Sequence, residues 1–255
     1  MSLFGSKLSG IERHFLGNVK KTKFVFPDET TAIERGLALM LDLTADLNDA
    51  VRKNKEPNLY ANRSLFARNR QLLLNAYFGM ICSNYGTQFV ILRTVLENNV
   101  LMRWFDLHPQ YAYEWISSET QKRFPPEIQA KYGKSGKHDI VFKSERVTSK
   151  LFKEIKKREV AENLKEIYGE LCDYTHPNFK GWQELMGSAG KEEVLMKMPA
   201  FVEDNTFKTI GLSLYLMQMS FKTVVESFKD LLFDFFFDLE IWQNTYEKLI
   251  ARYGD

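Results

Sequence analysis

The chain has few of the residues that staple or punctuate small folds: 2 cysteines, 7 prolines and 14 glycines in 255 residues. Cys82 and Cys172 stand too far apart for a disulfide framework or a four-ligand zinc site, which points to a reducing, cytoplasmic setting. The scarcity of proline and glycine argues against an all-β sandwich or barrel, which needs a turn signal every few residues. Long apolar runs are missing as well. The least polar stretch, Thr209 to Phe221, is closed by Lys208 and Lys222 and holds 13 residues, where a membrane span needs about 20. No transmembrane helix and no membrane partner are expected, and the segment Met1 to Lys7 lacks the apolar core of a secretory signal.

Familiar catalytic strings are absent too. The sequence contains no H-E-x-x-H, C-x-x-C, G-x-S-x-G or G-x-G-x-x-G. Gly133-Lys134-Ser135-Gly136-Lys137-His138 lacks the leading glycine and the hydroxyl residue of a phosphate loop. The four histidines, His14, His108, His138 and His176, show no metal-ligand spacing, so neither a metal nor a cofactor is expected.

With 44% hydrophobic and 27% charged residues, the chain can bury a full core. Its net charge is only +2, but the charge is unevenly spread. Lys131 to Lys165 holds eleven basic and five acidic residues, whereas Glu226 to Asp255 holds three basic and seven acidic. Such runs are either solvated faces or complementary patches for a second subunit or an anionic partner.

Apolar periodicity predicts an all-α fold, a single helical bundle of about seven to nine helices. Residues 1–28 read as an arm or short helix packed on the body, and 29–255 as one helical domain. A capping box, Thr31 to Glu34, opens the first firm helix, which runs to about Lys53. Pro57 breaks the pattern before a helix from Ser64 to Ser83, and a third spans Thr87 to Leu107. His108-Pro109 stops one helix and starts the next, Pro125-Pro126 ends that one, and 131–145 reads as an exposed loop. A further helix covers Glu145 to Tyr174. Residues 181–204 form an irregular insert, and Thr206 to Tyr253 is one very long helix or two end to end. The apolar run through Phe228, Leu231, Leu232, Phe235, Phe236, Leu239 and Trp242 serves either core packing or a dimer interface.

Two groups of residues carry candidate chemistry. In the third helix, with Phe89 at zero, Arg93 falls near 40° and Glu97 near 80°, inside an apolar arc. Burying two charges is costly unless they pair, so they either bridge helices or hold an anionic ligand group. The second group is Tyr174-Thr175-His176-Pro177-Asn178-Phe179-Lys180. A histidine fixed by a following proline and flanked by Tyr174, Asn178 and Lys180 is placed either for proton exchange near neutral pH or as a helix cap.

Three segments, Arg93-x-x-x-Glu97, Leu107-His-Pro-Gln-Tyr-Ala-Tyr-Glu-Trp115 and Leu171-Cys-Asp-Tyr-Thr-His-Pro-Asn178, resemble a group of bacterial helical proteins that is similar in turn to the HEPN (higher eukaryotes and prokaryotes nucleotide-binding) bundles. The resemblance spans roughly residues 65 to 185. It implies a dimer and, in many relatives, a metal-independent ribonuclease of toxin, phage-defence or RNA-processing systems. The hallmark of that family is an arginine followed four to six residues later by histidine, with a polar residue just after the arginine. Arg103 and His108 meet the spacing, but Trp104 stands in the polar position.

The expectation is a homodimeric protein that binds, and in a further step processes, RNA or a phosphorylated small molecule. His176, Arg93 and Glu97 would act as catalytic residues, and Tyr174, Asn178, Lys180 and Arg103 as ligand-binding ones. The alternative is a non-enzymatic interaction or scaffolding module of a defence or toxin-antitoxin type system, and the sequence leaves enzymatic activity open.

Overall fold

Proline and backbone geometry, more than side-chain caps, decide where the helices begin. The computed structural model describes residues 3–133, 161–175, 202–229, 231 and 236–253. Among these there are ten helices and no strands, an all-α architecture. The first, α1 (Leu3–Val25), is a full-length helix where the sequence suggested an arm or a short one. Only Phe26 separates it from α2 (Pro27–Asn54), whose Pro27, Asp28 and Glu29 occupy the first turn. Proline suits that turn because its missing N–H would have no helical partner there, and the two carboxylates favour the positive end of the helix dipole. The expected capping box therefore does not form. Thr31 already lies inside the helix, where its hydroxyl donates to the carbonyl of Pro27 (2.7 Å), and Glu34 turns instead to Lys23 and Tyr77.

Pro57 likewise opens α3 (Pro57–Ile81), so this helix starts seven residues before the expected Ser64. The link from α2 is short because Lys55 takes a left-handed φ of 48° and donates its N–H to Val51. At the other end of α3, Ser83 sits at φ 64°. Its N–H reaches the carbonyl of Met80 and that of Asn84 reaches Gly79, a Schellman turn with serine where glycine is usual. The turn delivers α4 (Tyr85–Leu107), the central helix, packed on α3, α5 (Pro109–Trp115) and two later helices. His108-Pro109 separates α4 from α5 as expected. Ser117 caps the short α6 (Ser118–Gln121), and α7 (Pro126–Tyr132) occupies the start of the presumed loop. Tyr113, Ile116 and Phe124 make a small satellite core there.

The remaining helices are α8 (Ala161–Thr175), α9 (Glu203–Phe228) and α10 (Phe236–Tyr253). Two separate helices thus fill the C-terminal segment that the sequence left as one or two. Of the presumed insert, Val202 is extended and Glu203 and Asp204 already belong to α9; residues 181–201 lie outside the described residues. The main core joins α2, α3, α4, α8, α9 and α10. Trp242 of α10 donates its indole N–H to the carbonyl of Ala32 (2.9 Å), beside Gly36, where an added Cβ would lie 2.7 Å from the indole nitrogen.

This packing decides between the two readings of the C-terminal apolar run at three of its positions: Phe228, Leu239 and Trp242 are buried in the chain's own core, while Leu231 is exposed. Leu232, Phe235 and the side chain of Phe236 lie outside the description.

Candidate functional site

The polar residues of α4 divide between two directions because their spacing places them on different sides of the helix. Toward α3 and α9 lie Asn98 and Asn99. Asn98 donates to the side-chain oxygen of Asn69 (2.8 Å), and Asn69 donates to that of Asn99 (2.9 Å). Asn99 donates to the carbonyl of Leu216 (3.0 Å), and the Ser220 hydroxyl donates to Asn99 (2.8 Å). All four are buried, and these bonds link three helices without a formal charge.

Toward α8 lie Arg93 and Glu97. Arg93 donates through Nε to Glu97 Oε1 (3.1 Å) and through Nη2 to the Tyr168 hydroxyl (3.2 Å), with its guanidinium 5.3 Å from the centre of the Tyr168 ring. The Arg93 and Glu97 side chains are 14% and 17% exposed, so the pair is sheltered but not sealed. Burial opposes the charge on Arg93, but Tyr168, Cys172 and Glu97 outweigh it and hold its pKa above the ordinary value. Burial raises the pKa of Tyr168 as well, against the opposing influence of Arg93, so it stays a neutral phenol at neutral pH. Because its oxygen accepts from Arg93, the phenolic hydrogen is directed away from the guanidinium.

The structure therefore joins Arg93 and Glu97, as the helical spacing predicted, and adds Tyr168 of α8. Tyr174 lies in the last turn of α8, but its side chain is outside the description, as are His176, Asn178 and Lys180 altogether. Arg103 does not join this cluster. It stands ten residues on, about 15 Å along the helix axis, and donates to Glu226 of α9 (2.5 Å). His108, its partner in the family spacing, lies with its ring 4.2 Å from that of Trp104.

Beside Arg103 lies a second group that sequence reasoning missed. Asp106 accepts from Asn62 (2.8 Å), Asn58 (3.3 Å) and the Ser227 hydroxyl (2.5 Å). Burial raises its pKa, while Ser227, Asn58, Arg103 and Asn62 pull it down less strongly. The only hint in the sequence was an acidic residue between Phe105 and Leu107.

Comparison with protein-family models, with curated proteins and with solved structures found no match.

Proposed function

We propose that the α4–α8 cluster holds the phosphate of a nucleic acid or phosphorylated small molecule, with Arg93 as the anion-binding residue. The observation that carries this reading is a sheltered arginine held in orientation by a carboxylate on its own helix and a phenol on the facing one. A guanidinium fixed in this way loses little freedom on meeting a phosphate. Glu97 is the positioning residue, since it grips Nε and sets the plane of the fork. Tyr168 supplies a neutral hydroxyl that can donate to a phosphate oxygen.

The same reading assigns chemistry to His176, which follows α8 by one residue. It would act as general acid or base while Arg93 stabilises charge developing on the phosphate. RNA is the first ligand to test because the resemblance to HEPN bundles and the basic run Lys131 to Lys165 both favour it. A labelled single-stranded RNA and, in parallel, a nucleoside triphosphate should bind at about 50 mM salt. RNA affinity should fall with rising salt by about 0.7 log unit per tenfold change for each phosphate contacted. Arg93→Lys should weaken binding at least tenfold while the far-UV spectrum and Tm stay close to wild type. His176→Ala should remove turnover and spare binding. Failure of the wild-type protein to bind either ligand would overturn the proposal.

A second reading has an observation of its own. Arg93 is bonded to Glu97 and Tyr168 of its own chain, as a tie between α4 and α8 in a non-catalytic interaction module would be. That reading predicts that Arg93→Lys and Tyr168→Phe lower stability and leave ligand binding unchanged.

A further inference from the structure

The solvent faces of α1 and α2 are both partly apolar, and they carry opposite charge. On α1 the buried side chains among those described are polar, Asn18 and Thr22, while Leu16 and Phe24 are 60% and 85% exposed. Leu16, Lys20 and Phe24 follow at i, i+4 and i+8 and so form one row, its apolar ends about 12 Å apart along the axis. Between residues 12 and 25 there are four cations and a single carboxylate, Glu12.

The outward side of α2 has the complementary pattern. Ala38, Leu41 and Ala45 are exposed along it, with Leu41 at 51%, and Asp42 and Asp46 stand exposed beside them. Ala38 and Ala45 are about 10 Å apart along the axis, leaving hollows on either side of Leu41. Lys20, Asp42 and Asp46 take part in no ion pair among the described residues.

We infer that these two faces meet between two copies of this chain, with the α1 row of each copy seated on the α2 strip of the other. In an antiparallel arrangement Leu16 enters the hollow over Ala45, Phe24 enters the one over Ala38, and Lys20 faces Asp42. A second copy is the fitting occupant because this chain carries both halves of the complement, exposed, and Lys20 pairs with neither Asp42 nor Asp46 among the described residues. Two-fold symmetry makes the contact twice, which doubles the buried area toward the roughly 1,200 Å² of a stable interface. The dimer then uses a surface at the opposite end of the sequence from Phe228, Leu239 and Trp242, which the core buries.

The test is sedimentation velocity on the full chain, from about 1 to 100 μM, in low salt. The wild type should approach twice its 29.8 kDa mass. Lys20→Glu and Asp42→Lys should each weaken the dimer at least tenfold, Lys20→Glu with Asp42→Lys should restore most of it, and Phe24→Ser should abolish it. Circular dichroism should be unchanged in every variant, since all the altered side chains are exposed. A wild-type monomer at 100 μM would overturn the inference. So would a dimer indifferent to these substitutions, or a monomer whose α1 row instead binds vesicles of anionic lipid through Phe24.

Discussion

On one side of α4, Asn98 and Asn99 enter a network of neutral side chains, mutually bonded and sealed from water. On the other, Arg93 and Glu97 keep their charges at 14% and 17% exposure. The contrast separates two uses of polarity within one helix. The amide network adds directional bonds where each lost partner is expensive, and it thereby fixes the rotation of α4 against α3 and α9. The charged pair keeps a little contact with solvent, and each charge offsets part of the cost of burying the other.

Stability measurements should reveal this division. The largest effect is expected from Asn69→Ala, which leaves the Asn98 amide without an acceptor and opens a cavity among three helices. A loss of about 2 to 4 kcal/mol is expected, lowering Tm by on the order of 5 to 10 °C. A change of less than about 1 kcal/mol would break the comparison, because the network would then be incidental.

The buried carboxylate at the far end of α4 sharpens the comparison through pH. With its pKa raised on folding, Asp106 binds a proton more tightly in the native state than in the unfolded one. Its contribution is therefore most favourable below the unfolded value of about 3.9 and is lost as pH rises through that value toward the folded one. Asp106→Asn should match wild type near the acid end and exceed it at pH 7, as followed by denaturant midpoints at both pH values. A variant less stable than wild type at pH 7 would show that the charged form is favoured in place.

A smaller gain is expected at the turn that sets the entry of α4. Ser83 is held at φ 64° with its hydroxyl buried and unpartnered among the described residues. Ser83→Gly should relieve that strain and stabilise the protein by about 1 kcal/mol, measurable as a rise in Tm, without altering ligand binding.

Much of the helical architecture could be read from the sequence because apolar spacing reports burial directly. Its boundaries were less legible, and for a consistent reason. Thr31 to Glu34 and Pro57 each carry two local meanings, cap or interior in the first case and breaker or first turn in the second. Packing of Phe26 and the left-handed Lys55 decided between them. The Arg93–Glu97 pair was legible because four residues make one turn of helix. Tyr168 was not, because contact across 75 residues leaves no local pattern. Asn69 was invisible for the same reason, since its partners come from α4 and α9. The apolar run near Phe228 left core packing and a dimer interface both open because sequence shows that a surface is apolar but not what covers it.

On the proposed function, the charged side of α4 serves binding and the neutral side serves structure. The most direct test of that function is the RNA-binding isotherm of Arg93→Ala beside that of wild type across a salt series, on samples whose Tm is measured in parallel. At least a tenfold loss of affinity and a salt slope shallower by about 0.7 are expected. Unchanged affinity and slope, with a large drop in Tm, would contradict that function and make Arg93 a structural tie.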